Sequence, residues 1–105
     1  YACTTPNRMT FTLNSFNDQT QKIALDLKTL LAGNDVTVNG TALGGELRSG
    51  SPGCMSSSQD PDCPGVFQAL QIGLAAPQNA VGTPDQAGKM INNGAAQTVF
   101  KVIAK

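Results

Sequence analysis

Residues 17–32 read Asn-Asp-Gln-Thr-Gln-Lys-Ile-Ala-Leu-Asp-Leu-Lys-Thr-Leu-Leu-Ala, and the folding of this stretch decides the architecture around it. Ile23, Leu27, Leu30 and Leu31 recur at i, i+4, i+7 and i+8, which is one stripe of an amphipathic helix. Lys22, Asp26 and Lys28 fall outside that stripe, where they stay solvated. Asp18 and Gln21 stand at capping-box spacing, with Asp in place of the usual Ser or Thr. Gly33 and Asn34 follow, where a left-handed C-terminal cap belongs. The spacing predicts one helix over 17–32.

On the N-terminal side, Met9, Phe11 and Leu13 alternate with Thr10, Thr12 and Asn14. Period two with one apolar face predicts a half-buried strand over 8–15. On the C-terminal side, Val36 and Val38 lead into Asn39-Gly40, the signal of a type I′ hairpin turn. Leu43 and Leu47 belong to its second arm, which Gly44-Gly45 interrupts. Ser, Gly, Pro, Asp and Cys make 48–64 a long loop.

A second helix is expected over 64–76. Asp62 or Cys63 would cap it, Pro64 suits its first turn, and Pro77 lies just past its end. Val66, Phe67, Leu70 and Leu74 form its stripe, and Gly73 weakens it slightly. Thr83-Pro84-Asp85-Gln86 is another capping box, opening a short helix over 84–92 with Met90 and Ile91 turned inward. In 96–104, the adjacent pairs Val99-Phe100 and Val102-Ile103 predict a strand covered on both faces.

This order of elements is that of an α+β protein. The expected fold is a small antiparallel or mixed sheet of about four strands, with two to three helices packed on one face. A split β-α-β arrangement fits that order. Residues 1–7 read as a flexible N-terminal arm and 8–105 as a single domain carrying the long loop 48–64.

The 105 residues are 40% hydrophobic and carry seven basic and seven acidic side chains, scattered without runs. A phosphate-binding surface needs clustered Lys and Arg, so no nucleic-acid partner is expected. No apolar run approaches the roughly 18 residues of a membrane span. The chain opens on Tyr1 with no basic and apolar leader, which reads as a processed or trimmed N-terminus.

Three cysteines add to this. Cys54 and Cys63 bracket a polar, turn-rich segment, and a bridge between them would close a short loop in an oxidising compartment. Cys3 is left over. It would pair between chains, stay free, carry a modification, or bridge to Cys54 or Cys63 and leave the other free. Lipid attachment at Cys3 is compatible with the preceding Ala2, although Tyr1 and Ala2 would then be lost. The expected location is extracellular, periplasmic or at the cell surface.

No histidine is present, which excludes Ser-His-Asp and Cys-His catalysis and leaves zinc short of ligands. Asp18, Asp62 and Asp85 stand at expected helix starts and Asp35 at a turn, so the acidic residues read as caps rather than acid–base pairs. Gln59-Asp60-Pro61-Asp62 offers too few oxygens for calcium. Asn39-Gly40-Thr41 is a glycosylation sequon that the hairpin turn explains equally well. No cofactor is expected.

The reading that remains is a non-enzymatic secreted or envelope protein acting by protein contact, including self-association as a filament or envelope-complex subunit. The alternative is a secreted inhibitor or effector. It would present Met55, Ser56, Ser57, Ser58, Gln59 and Asp60, held by the Cys54–Cys63 bridge, to a partner protein.

Overall fold

The structure is a computed structural model, and it describes residues 7–37, 53–54, 59–76 and 80–105. The class is α+β, as expected. The described residues hold two strands, β1 (Gln21–Leu25) and β2 (Phe100–Ala104), and two α-helices, α1 (Leu27–Leu31) and α2 (Cys63–Leu70). The strands form one antiparallel ribbon, with Gln21 opposite Ala104, Ile23 opposite Val102 and Leu25 opposite Phe100. The expected sheet of about four strands is not seen among these residues. The hairpin arms from Val38 onward, with Leu43, Leu47 and the Asn39 sequon, lie outside them, as do Cys3, Met55, Ser56, Ser57, Ser58 and Pro77.

The 17–32 stretch is not one helix. A turn at 18–20 leads into β1, and a new helix starts at Leu27. Asp26 divides the two. Its backbone is extended (φ −89°, ψ 95°), and its Oδ1 accepts the Thr29 N–H at 3.0 Å as an N-cap. The Asp18–Gln21 capping box is displaced by one residue, because Gln21 Oε1 accepts the Asn17 N–H instead. Helix α1 is thus only five residues long and buries none of them. The apolar stripe that predicted the long helix does not line the core.

Gly33 does not cap in the left-handed region. Its role is close approach: a Cβ on Gly33 would lie 2.9 Å from Gly65 Cα, and one on Gly65 would lie 2.2 Å from Asn34 Oδ1. The end of α1 therefore docks on the start of α2 through two bare backbones. Asn34 Nδ2 donates to the Asp62 carbonyl at 2.7 Å to fix the contact.

Helix α2 stops at Leu70, six residues before its expected end. Gln71 turns left-handed (φ 56°, ψ 42°), and its N–H and that of Ile72 bond back to Gln68 and Phe67. This is a Schellman ending with Gln where Gly is usual, closed by an apolar pairing of Ile72 with Phe67 in the core. Beyond it the chain is extended and paired on both sides. Leu74 exchanges two backbone hydrogen bonds with Val81, and Gly73 bonds to Lys89 and Gly88. Those partners come from the following loop, and their ladder outcompetes continuation of the helix.

The 84–92 helix is also shorter than expected. The Thr83–Gln86 capping box is present, with Gln86 Oε1 accepting the Thr83 N–H at 2.9 Å. It opens only a 3-10 turn over Pro84–Gln86. A second turn, Ile91–Gly94, contains Asn92 and Asn93 in the left-handed region, which a continuous helix cannot hold. Residues 8–13 keep the alternating burial expected of a strand, with Met9, Phe11 and Leu13 partly buried, but pair with no strand among the described residues. Phe11 stacks on Phe100 with ring centroids 4.8 Å apart. Strand β2 lies within the expected stretch, yet Ile103 is exposed, because among the described residues the ribbon has two strands and nothing covers that side chain's face.

The core lies under α2. Cys63, Phe67, Ile72, Leu74 and Val81 are buried together, with Met9, Cys54, Leu70, Met90 and Ile91 packed against them.

Candidate functional site

Cys54 and Cys63 are bridged, with Cα atoms 4.5 Å apart. Cys63 is 0% exposed and opens α2, so the bridge ties the loop to the core rather than to the surface. Closing so short a loop stabilises the fold by about 2–3 kcal/mol in the chain-entropy account. The root of the loop is clipped again by Asp62, whose Oδ2 accepts the Gly53 N–H at 2.9 Å. Asp60 is only 2% exposed; its Oδ1 accepts the Asp62 N–H and its carbonyl accepts the Cys63 N–H. It anchors the loop from inside, while Gln59 is exposed.

A second surface was not legible as one in the sequence. Ile23, Leu25 and Leu27 are 50%, 48% and 59% exposed, and Leu31 and Phe16 on the neighbouring segments are exposed too. Ile23 and Leu25 share one face of the ribbon with their cross-strand partners Val102 and Phe100. The signal that could have found this strand is the alternation Ile23, Leu25, Leu27, which competes with the helical stripe over the same residues.

The two edges of the ribbon differ. The Asp26 N–H bonds to the Val99 carbonyl and the Lys105 N–H to the Thr20 carbonyl. The register opposes these residues, so even-numbered positions of β1 carry the ladder to β2. Ile23 and Leu25 therefore aim their N–H and C=O groups outward. On the opposite edge Phe100, Val102 and Ala104 do the same, and the Gln97 side chain covers the groups of Phe100. Gln97 Oε1 accepts the Phe100 N–H at 2.9 Å, and its Nε2 donates to the Phe100 carbonyl at 3.2 Å. No hydrogen bond of this kind covers Ile23 or Leu25 among the described residues.

On the other face of the ribbon, Lys101 Nζ donates to Asp26 Oδ2 at 2.5 Å. This bond, with the Thr29 bonds next, holds the Asp26 carboxyl well below the usual carboxylate range. Asp35 and Asp85 are lowered in the same direction, chiefly by the hydroxyls of Thr37 and Thr83. A carboxyl depressed in the folded state contributes stability above its unfolded pKa of about 4, and loses it as pH falls through the folded value. Melting temperature is thus expected to be flat near neutrality and to fall below about pH 4, and Asp26→Asn to flatten that acid limb. Circular dichroism melts from neutral to strongly acid pH check it; an unchanged acid limb in Asp26→Asn would refute the assignment.

None of the described helices is long and apolar enough to cross a membrane. No family model matches the chain, and no curated protein matches it. Among solved structures it is similar to MbnP from Methylosinus trichosporium, with 35% identity over 98% of this chain and a TM-score of 0.72. The chain spans about a third (32%) of the length of that protein.

Proposed function

We propose that the chain is a non-enzymatic extracytoplasmic protein that works by protein contact, through the apolar surface of β1 and α1. The observation that carries this reading is the cluster of half-exposed Ile23, Leu25 and Leu27, set apart from a core that lies elsewhere. Large apolar side chains grouped on a surface signal an interaction site. The bridged Cys54–Cys63 pair supports an oxidising compartment.

A second reading is favoured by the double clip on the disulfide loop, which would present Met55–Gln59 with little ordering cost. A photo-crosslinking residue placed at Leu27, at Gln59 or at the exposed Lys89, in the native compartment, separates the two. Protein adducts from position 27 alone are the expected result. Adducts from 59 alone transfer the function to the loop, and none from either position overturns contact as the function.

A further inference from the structure

We propose that the open edge of β1 pairs with β1 of a second copy of this chain, giving a closed, two-fold dimer with a continuous four-stranded sheet. The inference rests on the contact reading above and names its partner.

Backbone accounting comes first. Each copy offers four outward groups on this edge, the N–H and C=O of Ile23 and of Leu25. An antiparallel pairing centred on Ala24 sets Ile23 opposite Leu25 of the other copy, and Leu25 opposite Ile23. All four groups of each copy are then matched. A pairing centred on Ile23 is poorer. It sets Leu25 opposite Gln21, whose N–H is already given to the Asn17 carbonyl, and leaves the Leu25 carbonyl without a donor.

Side chains agree with the same register. Ile23 and Leu25 of one copy lie beside Leu25 and Ile23 of the other on one face, where cross-strand contact shields part of each half-exposed side chain and extends the strip formed with Val102 and Phe100. On the other face Lys22 falls opposite Asp26 of the second copy, so unlike charges meet and no like charges do. The chain has no net charge to oppose association.

Closure follows from the two-fold symmetry of the pairing. The contact itself is self-complementary: each copy gives the same β1 edge, while on the β2 edge Gln97 covers the Phe100 backbone groups and leaves those of Val102 outward. Pairing through one self-complementary side stops at two copies and does not run on into a fibre. It also supplies what a two-stranded ribbon lacks, since three or more strands are ordinarily needed for an independently stable sheet.

The test uses the full chain in a Cys3→Ser background. Light scattering across a micromolar to submillimolar series is expected to show mass rising from 10.8 kDa toward twice that value and no further. Leu25→Lys, with unchanged circular dichroism, is expected to stay monomeric throughout. Ala24→Cys sits on the two-fold axis and is expected to form an intermolecular disulfide under mild oxidation, while Lys22→Cys is not. A constant 10.8 kDa mass, or bridging at position 22 instead of 24, overturns the proposal. A monomer whose position 27 still crosslinks to another protein would sink the second copy as partner and leave the contact reading standing.

Discussion

Gly73→Ala is expected to destabilise the fold by about 3 kcal/mol or more, a large fraction of the total stability of a small domain. A Cβ built on Gly73 would lie 2.2 Å from the Gln86 carbonyl oxygen and 2.6 Å from its carbon. Both are backbone atoms, so no side chain can rotate away. Relief requires 71–74 and the segment after the Thr83 turn to separate. That separation breaks the bonds of Gly73 to the Lys89 carbonyl and from the Gly88 N–H, each 2.8–2.9 Å long. It also opens the core, because Ile72 and Leu74 flank Gly73 and are both buried. The measurement is the denaturation midpoint at constant m-value. Gly53→Ala is the control: nothing lies within 4 Å of its Cβ position, and the change should stay within about 0.5 kcal/mol. Equal effects at the two sites would show that close backbone approach is not what Gly73 provides.

Phe67→Ala is expected to cost about 3–4 kcal/mol, and Phe67→Leu about 1 kcal/mol. Phe67 is 4% exposed and is the largest side chain of a core built on Cys63, Ile72, Leu74 and Val81. In a core of so few residues the cavity has little around it that can collapse inward. Phe67 also packs with Ile72 across the end of α2, so truncation loosens the Schellman ending as well. Chemical denaturation is again the readout. Phe16→Ala, on an exposed ring, should cost under about 1 kcal/mol. A Phe67→Ala variant as stable as Phe16→Ala would mean that the core is not where the structure places it.

Both predictions concern the 63–91 stretch, which local sequence signals describe best. Pro64 at the first turn of α2, Phe67 facing inward and the Thr83–Gln86 capping box were all read correctly. What failed was length. The apolar spacing continues through Leu74, and nothing local marks Gln71 as left-handed, since Gln has a Cβ that disfavours that region. The chain adopts it because Val81, Gly88 and Lys89 offer hydrogen bonds to 73–74 that a helix would forgo.

The candidate surface was less legible. Helical spacing places Ile23 and Leu27 on one apolar stripe, yet both stand half in solvent. Two periods fit the same residues: 3.6 through Ile23, Leu27, Leu30 and Leu31, and 2.0 through Ile23, Leu25 and Leu27. A local pattern cannot choose between them. The strand wins over 21–25 because Phe100–Ala104, at the far end of the chain, supplies a ladder.

By itself, the sequence determined the α+β class, the β2 strand and the capping at Thr83, and favoured the Cys54–Cys63 bridge among the pairings open to three cysteines, because each rests on chemistry within a few residues or on one strong local propensity. Tertiary structure alone decided that 17–32 divides at Asp26, where the ladder to Phe100–Ala104 ends, and that Gly33 and Gly65 meet. These depend on hydrogen bonds and contacts between segments far apart in the chain, whose free energy exceeds the fractions of a kcal/mol by which local preference separates helix from strand.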